Sequence, residues 1–399
     1  MSQGFGNFVL PPQQILEAKI LEKSVLRHFQ DIEDPREASR NTYPLLSIIT
    51  IAILAVISGA DGCTAIETYG KAKQSWLKTF LDLPGGIPSH DTFSRVLAML
   101  DPKEMEDCFL SWIKTITEKL DIKLIHIDGK EHNGSYDRKE KLKSLHSVSA
   151  WSSEHGLSLA QEKVDSKSNE IKAVPLLLKL LDLKGATVTV DAMGTQFAIA
   201  QQIRKAGGNY NLALKGNQGK LSKQVEKWFK EAESQGWEGI EYSYHETFDS
   251  GHYRSEARQV WSVSVNQLPP LHRQEIWHGF SIVIMVKSTR VLWNKTTTAV
   301  KFYISSLEPD AERDSHIIRS HWSIENSCHW VLDVVFHEDA SRIRKGNGAQ
   351  NFGTLRRLSL NLLKKEPSKQ SLKMKRYLAG IDNDFLMEIL AASEMEAQA

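Results

Sequence analysis

Cysteine is scarce, with 3 in 399 residues. Cys63, Cys108 and Cys328 stand far apart and are odd in number, which argues against a disulfide framework and for a reducing compartment. No CxxC pair is present, and adjacent Cys328 and His329 suit joint ligation poorly, so a zinc site built with His321 and His337 is not expected. Excess charge of one sign is also missing: 50 basic residues face 49 acidic ones, so the overall balance announces no polyanionic partner. Long hydrophobic runs are absent. The most apolar stretch, "LLSIITIAILAVISGA" from Leu45 to Ala60, carries Ser and Thr and falls short of the ~20 residues of a spanning helix. It reads as a buried helix. The opening "MSQGFGNFVLPPQQ" has neither the basic region nor the apolar core of a secretory leader. A soluble, cytoplasmic protein with no membrane partner is expected.

What is there changes texture along the chain. Residues 1–120 read as a helical N-terminal domain. "ILEAKILEKSVLRHFQDI" is amphipathic, the helix from Leu45 comes next, Ser89 is a natural N-cap for "HDTFSRVLAML", and Asp101-Pro102 starts another helix. Residues 121–236 carry β-like runs ("KLIHIDG", "SLHSVSAWSS", "LSLAQEKV", "ATVTVDA", "YNLALKG") and then alternate with helices, which predicts an α/β fold with a mixed sheet. Residues 237–306 turn β-rich and read as an insertion. Residues 307–365 return to helix, and 366–399 read as a basic and polar tail. From Ser341 to Arg376, eleven basic residues face one acid, Glu366, a local field suited to a polyanion or simply a solvated face.

The chemistry lies in three acids. Asp128 and Asp191 each end a β-like run, and strand ends of an α/β sheet are where ligands and catalytic groups gather. If those strands are neighbours, the two carboxylates converge on a divalent cation. Glu325, in "SHWSIENSCHWVLD", shares a helix face with His329 at i+4 and has Trp322, Ile324 and Trp330 around it. An acid among such neighbours needs a partner or a metal. Hard oxygen ligands suit Mg²⁺ or Mn²⁺, and such a cluster can hold two ions ~3.5–4 Å apart for in-line displacement at a phosphodiester. Uncompensated, the three acids would raise one another's pKa values. The alternatives stay open: turn-forming or capping aspartates, and an ion pair of Glu325 with Arg319, His321 or His329.

The stretches "IHIDGKEHNGS", "LHSVSAWSSEHGLSLAQEKVDSKSNEI", "GATVTVDAMGTQ", "NYNLALKGNQ" and "HWSIENSCHWVLDVVFHEDASRIRKGNGAQNFGTLRRLSLNLL" resemble a bacterial insertion-sequence DDE transposase of the H-repeat-associated branch. The likeness runs from about residue 25 to 365, and includes "DIEDPREASRNTYPLLSIITIAILAVISGADG" in the helical part. The resemblance implies an RNase H-like catalytic core with a β-strand insertion before the last acid, and a triad on Asp128, Asp191 and Glu325. It implies metal-dependent cleavage at element ends and strand transfer into target DNA, with Mg²⁺ or Mn²⁺, double-stranded DNA as partner, and at least a dimer on DNA. An RNase H-like nuclease without strand transfer, or an inactive DNA-binding remnant, are the alternatives. Two departures stand out: Asn133 occupies a place that is often basic, and of the Tyr-Arg-Glu-Lys signature of the wider group only Glu325 is present, with Ile318, His321 and Leu332 at the other offsets.

Further candidates for DNA contact are Lys130 in "DGK", Lys215 and Asn217 after a strand, Arg254 and Arg258 in the β-rich block, and Arg342, Arg344, Lys345, Arg356 and Arg357 in the basic segment. His329 is a candidate partner of Glu325 or of the scissile phosphate. Trp322 and Trp330 are expected in the core.

Overall fold

The computed structural model describes residues 20, 25–37, 42–132, 145–164, 170–251, 254–293 and 295–395. Among these, nine strands form one sheet in the order β3-β2-β1-β4-β5-β9-β8-β7-β6. The strands are β1 (Leu124–His132), β2 (Leu145–Ser152), β3 (Leu157–Val164), β4 (Thr187–Val190), β5 (Asn209–Leu214), β6 (Ser243–Gly251), β7 (Arg254–Ser264), β8 (Ile282–Leu292) and β9 (Lys295–Ser305). β1, β4 and β5 run parallel, and every other pairing is antiparallel. Short β4, with the pattern Thr-Val-Thr-Val, is buried on both faces, as a strand flanked by parallel neighbours should be.

The helices are α1 (Leu45–Ile57), α2 (Cys63–Ala72), α3 (Gln74–Leu77), α4 (His90–Met99), α5 (Pro102–Thr117), α6 (Glu170–Leu178), α7 (Phe197–Lys205), α8 (Gly219–Ser234), α9 (Ala311–His321), α10 (Trp330–Val334), α11 (Gly348–Lys365), α12 (Leu372–Ile381) and α13 (Asn383–Met395). Capping chemistry sets several starts. The Ser89 hydroxyl accepts the Thr92 amide ahead of α4, and the Asp101 carboxylate accepts the Lys103 amide ahead of α5, with Pro102 in the first turn. The apolar run becomes α1, buried on nearly every side because α11 packs along it. α11 is the hub: it touches α1, α4, α5, α13 and β3, and so ties the N-terminal helices to the sheet. None of the described helices is long and apolar enough to cross a membrane.

Within the described part of the amphipathic segment before residue 33, Ile20 is helical and Leu26–Phe29 forms a 3-10 turn. The strands of the β-rich block extend the core sheet through the pairing of β9 with β5, and the outer part of β9 runs into solvent. Two expectations change. Asp128 stands in mid-strand and not at a strand end, because β1 continues to His132 against β2. Residues 366–395 are not a tail: α12 and α13 bury Ala379, Leu386, Ile389 and Leu390 in the core.

Candidate active site

β1 and β4 are parallel neighbours with Ile127 opposite Val190, so the next residues, Asp128 and Asp191, stand side by side on one sheet face. β4 ends there, and Asp191 opens a tight turn. Its Oδ1 accepts the Gly194 amide at 3.1 Å, and the Thr195 hydroxyl donates to the Ala213 carbonyl at 2.6 Å, pinning the turn to β5. Asn217, expected to meet DNA, donates its side-chain amide to the carbonyls of Ala192 and Thr195 instead. It braces the Asp191 turn. Lys215, two residues earlier, is exposed and lines the cleft beside the two aspartates.

Glu325 reaches this place from a π-helical turn, Glu325–His329, between α9 and α10, in which the Trp330 amide donates to the Glu325 carbonyl. Such a wide turn rotates the residues after it and is frequent at functional sites. Its result overturns the expected surroundings of Glu325. Ile324 is buried at 1% exposure, but Trp322 and Trp330 are 56% and 55% exposed, and the Glu325 side chain faces the cleft. The two tryptophans flank the acid at the surface.

His329 is 3% exposed, and its Nδ1 lies 3.4 Å from Glu325 Oε2 and 3.6 Å from Asp128 Oδ2. One donor atom from each of Asp128, Glu325 and His329 falls within 4.8 Å of the others. Burial pushes the Asp128 carboxyl up to about 6, with Asp191 and Glu325 adding to the rise and His329 opposing it. Glu325 moves the other way: its hydrogen bond with His329 holds it below the usual carboxylate range. The expectation of a mutual upward shift therefore fails for Glu325, because His329 stands between the acids. The carboxylate oxygens are donors suited to a divalent cation.

His126, which the sequence did not single out, and His321, offered there as an ion partner of Glu325, support this arrangement through Thr189. His126 Nδ1 and His321 Nδ1 each lie 2.7 Å from the Thr189 hydroxyl, and His126 Nε2 lies 2.8 Å from Ser153 Oγ. This buried chain ties β1, β4 and the end of α9 together. Burial lowers the pKa of His321 to about 4 and of His126 to about 3, which favours their neutral forms. The sequence signal for it is weak, since a His in "IHID" reads equally well as a strand residue.

Lys130 is not placed to meet DNA. Its Nζ donates to Asp333 and, at 2.8 Å, to Glu338, and its side chain is 8% exposed. Arg356 and Arg357 are likewise buried, at 3% and 2%. Arg357 pairs with Glu106, and Arg356 lies over the Phe352 ring. α11 is a core helix, so its arginines point into the protein. Lys375 and Arg376 are buried too, and the expected basic field loses much of its outward charge. Arg258 is half-buried and paired with Glu256 at 2.8 Å. Arg254 opens β7, with its side chain outside the described set, and Asn133 lies outside the described residues altogether. Arg342 and Lys345 are exposed and Arg344 is half-buried, in the loop before α11.

The acids open on a cleft with about 870 Å³ of space, lined by residues of β4, β5, β9, α8 and the end of α9. Residues 119–362 match the family described as "Transposase DDE domain", and residues 26–113 match its associated N-terminal family, "DDE_Tnp_1-associated". Among curated relatives, the chain is similar to "Putative protein YbfL" and to "H repeat-associated putative transposase YhhI", both of Escherichia coli K12. Each is 37% identical over 93% of this chain and 98% of that protein. It is also 38% identical to "Putative transposase YncI" of Escherichia coli O157:H7, over 93% of this chain and 95% of that protein.

Proposed function

The chain belongs to the DDE transposase family of the H-repeat type, and on that footing we propose that it cleaves DNA at the ends of its own element and joins them to target DNA. The observation that carries the reading is the convergence of Asp128, Asp191 and Glu325, from three separate segments, on one cleft. The family implies use of a divalent metal, and we assign its binding to these three acids. When bound, Mg²⁺ or Mn²⁺ would supply a Lewis acid for the scissile phosphate and for the attacking and leaving oxygens.

The protein's own residues do the rest. The rigid β1–β4 pair fixes the two aspartates. The π turn presents Glu325 opposite them, and His329 orients both Glu325 and Asp128. Water is the first nucleophile and the freed 3′-OH the second, with no covalent protein intermediate. Lys215, Arg342, Arg344 and Lys345 remain as contacts to the DNA backbone, positioning the duplex without reading it. The joining of two ends in concert calls for at least a dimer on DNA.

The test is a labelled duplex carrying the inverted repeat that flanks the gene, incubated with Mg²⁺ or EDTA, beside a Glu325→Gln variant. Metal-dependent nicking at the repeat end, abolished by the substitution, supports the reading. Nicking without strand transfer would make the protein a nuclease of the same fold. Binding without nicking under any divalent metal would make it a DNA-binding remnant.

A further inference from the structure

The face that carries Asp128 and Asp191 continues past them as the floor of the cleft. On β4, Thr189 stands two residues before Asp191; on β5 its register partner is Asn211. Asn211 therefore lies one strand over and one step down from Asp191, roughly 8 Å away by sheet spacing. The Thr189 hydroxyl is engaged by His126 and His321. Asn211 is different. It is 2% exposed, it lines the cleft, and neither its side-chain oxygen nor its nitrogen has a hydrogen-bond partner among the described residues.

A buried carboxamide with both ends unmet costs on the order of 1–3 kcal/mol, so its presence on a cavity floor needs a reason. The walls limit what the reason can be. On the Asn211 face Tyr303 offers a flat ring, while Lys215 and Lys301 stand exposed at the rim; Phe302 and Met285 alternate to the opposite face of the sheet, towards α8. The space falls within the ~300–1,000 Å³ of ordinary ligand pockets. A planar heterocycle with adjacent donor and acceptor on its edge, tied to a phosphate, meets all of these groups at once.

We propose that this cleft is a nucleobase pocket, in which the Asn211 carboxamide hydrogen-bonds the edge of one unpaired base of the DNA substrate while Lys215 and Lys301 hold its phosphates. A carboxamide offers a donor and an acceptor side by side, the pattern that pairs with a base edge. The pocket rests on the transposase reading, since it adjoins the proposed cleavage centre. It adds a recognition element to that reading: the nucleotide next to the scissile phosphate leaves the duplex and is read there.

The experiment uses the full chain, Ca²⁺ to permit binding without cutting, and the flanking-repeat duplex with 2-aminopurine at successive positions around the cut. Wild-type protein should raise the fluorescence at one position, the sign of an unstacked base. Asn211→Leu should erase that rise and lower Mg²⁺-dependent nicking roughly tenfold or more. It should also leave the melting temperature unchanged or higher, because it removes an unpaired buried amide. Lower activity without lower stability separates a ligand group from a structural one. Should Asn211→Leu instead melt early, Lys215→Ala at the exposed rim, with the same loss of signal, would still support the pocket.

Normal nicking with no fluorescence rise at any position would overturn the pocket and leave the transposase reading intact. Loss of the rise on adding millimolar deoxynucleoside monophosphates, with nicking unaffected, would assign the pocket to free nucleotide and overturn the substrate-base proposal. No binding and no nicking of the repeat would overturn both.

Discussion

Lys130 Nζ lies 2.8 Å from Glu338, linking the strand that carries Asp128 to the chain that leaves the Glu325 segment. Lys130 is two residues from Asp128 and on the same sheet face, and its second partner, Asp333, belongs to α10. Burial opposes the lysine's charge, but Glu338 and Asp333 outweigh it and raise its pKa. The clamp holds β1 against the segment that follows Glu325, and a role in spacing Glu325 from Asp128 is open to test.

Lys130→Met should leave buried Glu338 and half-buried Asp333 without their shared cation and cost about 3–5 kcal/mol of stability, read from denaturant unfolding. Lys130→Arg should recover part of it. The metal concentration for half-maximal nicking should rise in any Lys130 variant that still folds, and an unchanged value would rule out the spacing role.

Glu325→Gln should lower nicking by more than the roughly 10–100-fold associated with partners that only orient ligands, with unchanged affinity for the repeat duplex in EDTA. Its side chain is 56% exposed, so the melting temperature should stay within a degree or two of wild type by the usual tolerance of exposed sites. A large drop in stability would assign Glu325 a structural role.

Asp314, in α9, is fully buried, and burial pushes its carboxyl up to about 7. A raised pKa means the folded state holds the proton more tightly than the unfolded chain does. The stabilisation is thus complete below about pH 4 and is lost as pH rises to about 7. Asp314→Asn should flatten the stability profile across that window. It should be more stable than wild type at pH 8, by on the order of 4 kcal/mol at most. Parallel pH profiles for the two proteins in thermal unfolding would refute this.

Gly346 has φ +51°, and a Cβ placed there would lie 2.5 Å from the Ala98 carbonyl oxygen. Gly346→Ala should therefore cost about 1–3 kcal/mol, through backbone strain and a clash with backbone that cannot rotate away. Circular dichroism melting checks it. No change would mean that the loop before α11 shifts freely against α4.

Lys215→Ala should reduce the slope of log affinity against log salt by about 1, as loss of one phosphate contact does. Arg357→Ala should leave that slope alone and lower the melting temperature, since Arg357 is paired with Glu106 inside the core. Equal salt slopes for Lys215→Ala and wild type would remove Lys215 from the DNA surface.

Much was legible in the chain itself. Residue alternation and caps at Ser89 and Asp101 are local, and local signals survive folding, so the helical start, the mixed sheet and α1 could be read directly. The candidate acids were legible because Asp after a β-like run and Glu four before His are short-range patterns. What the sequence could not show is direction. Lys130, Arg356 and Arg357 carry the charge of a DNA contact, yet neighbours distant in sequence turn them inward: Glu338 to one, a Phe ring to another, Glu106 to the third. Trp322 and Trp330 have the hydrophobicity of a core, but both are exposed, one on each side of the wide helical turn. The Asn211 amide is buried where β5 lies between β4 and β9, and it finds no partner among the described residues. Residue type and spacing determined which groups carry chemistry; tertiary structure decided which of them face the cleft, because burial and pairing depend on segments that meet only after the chain has folded.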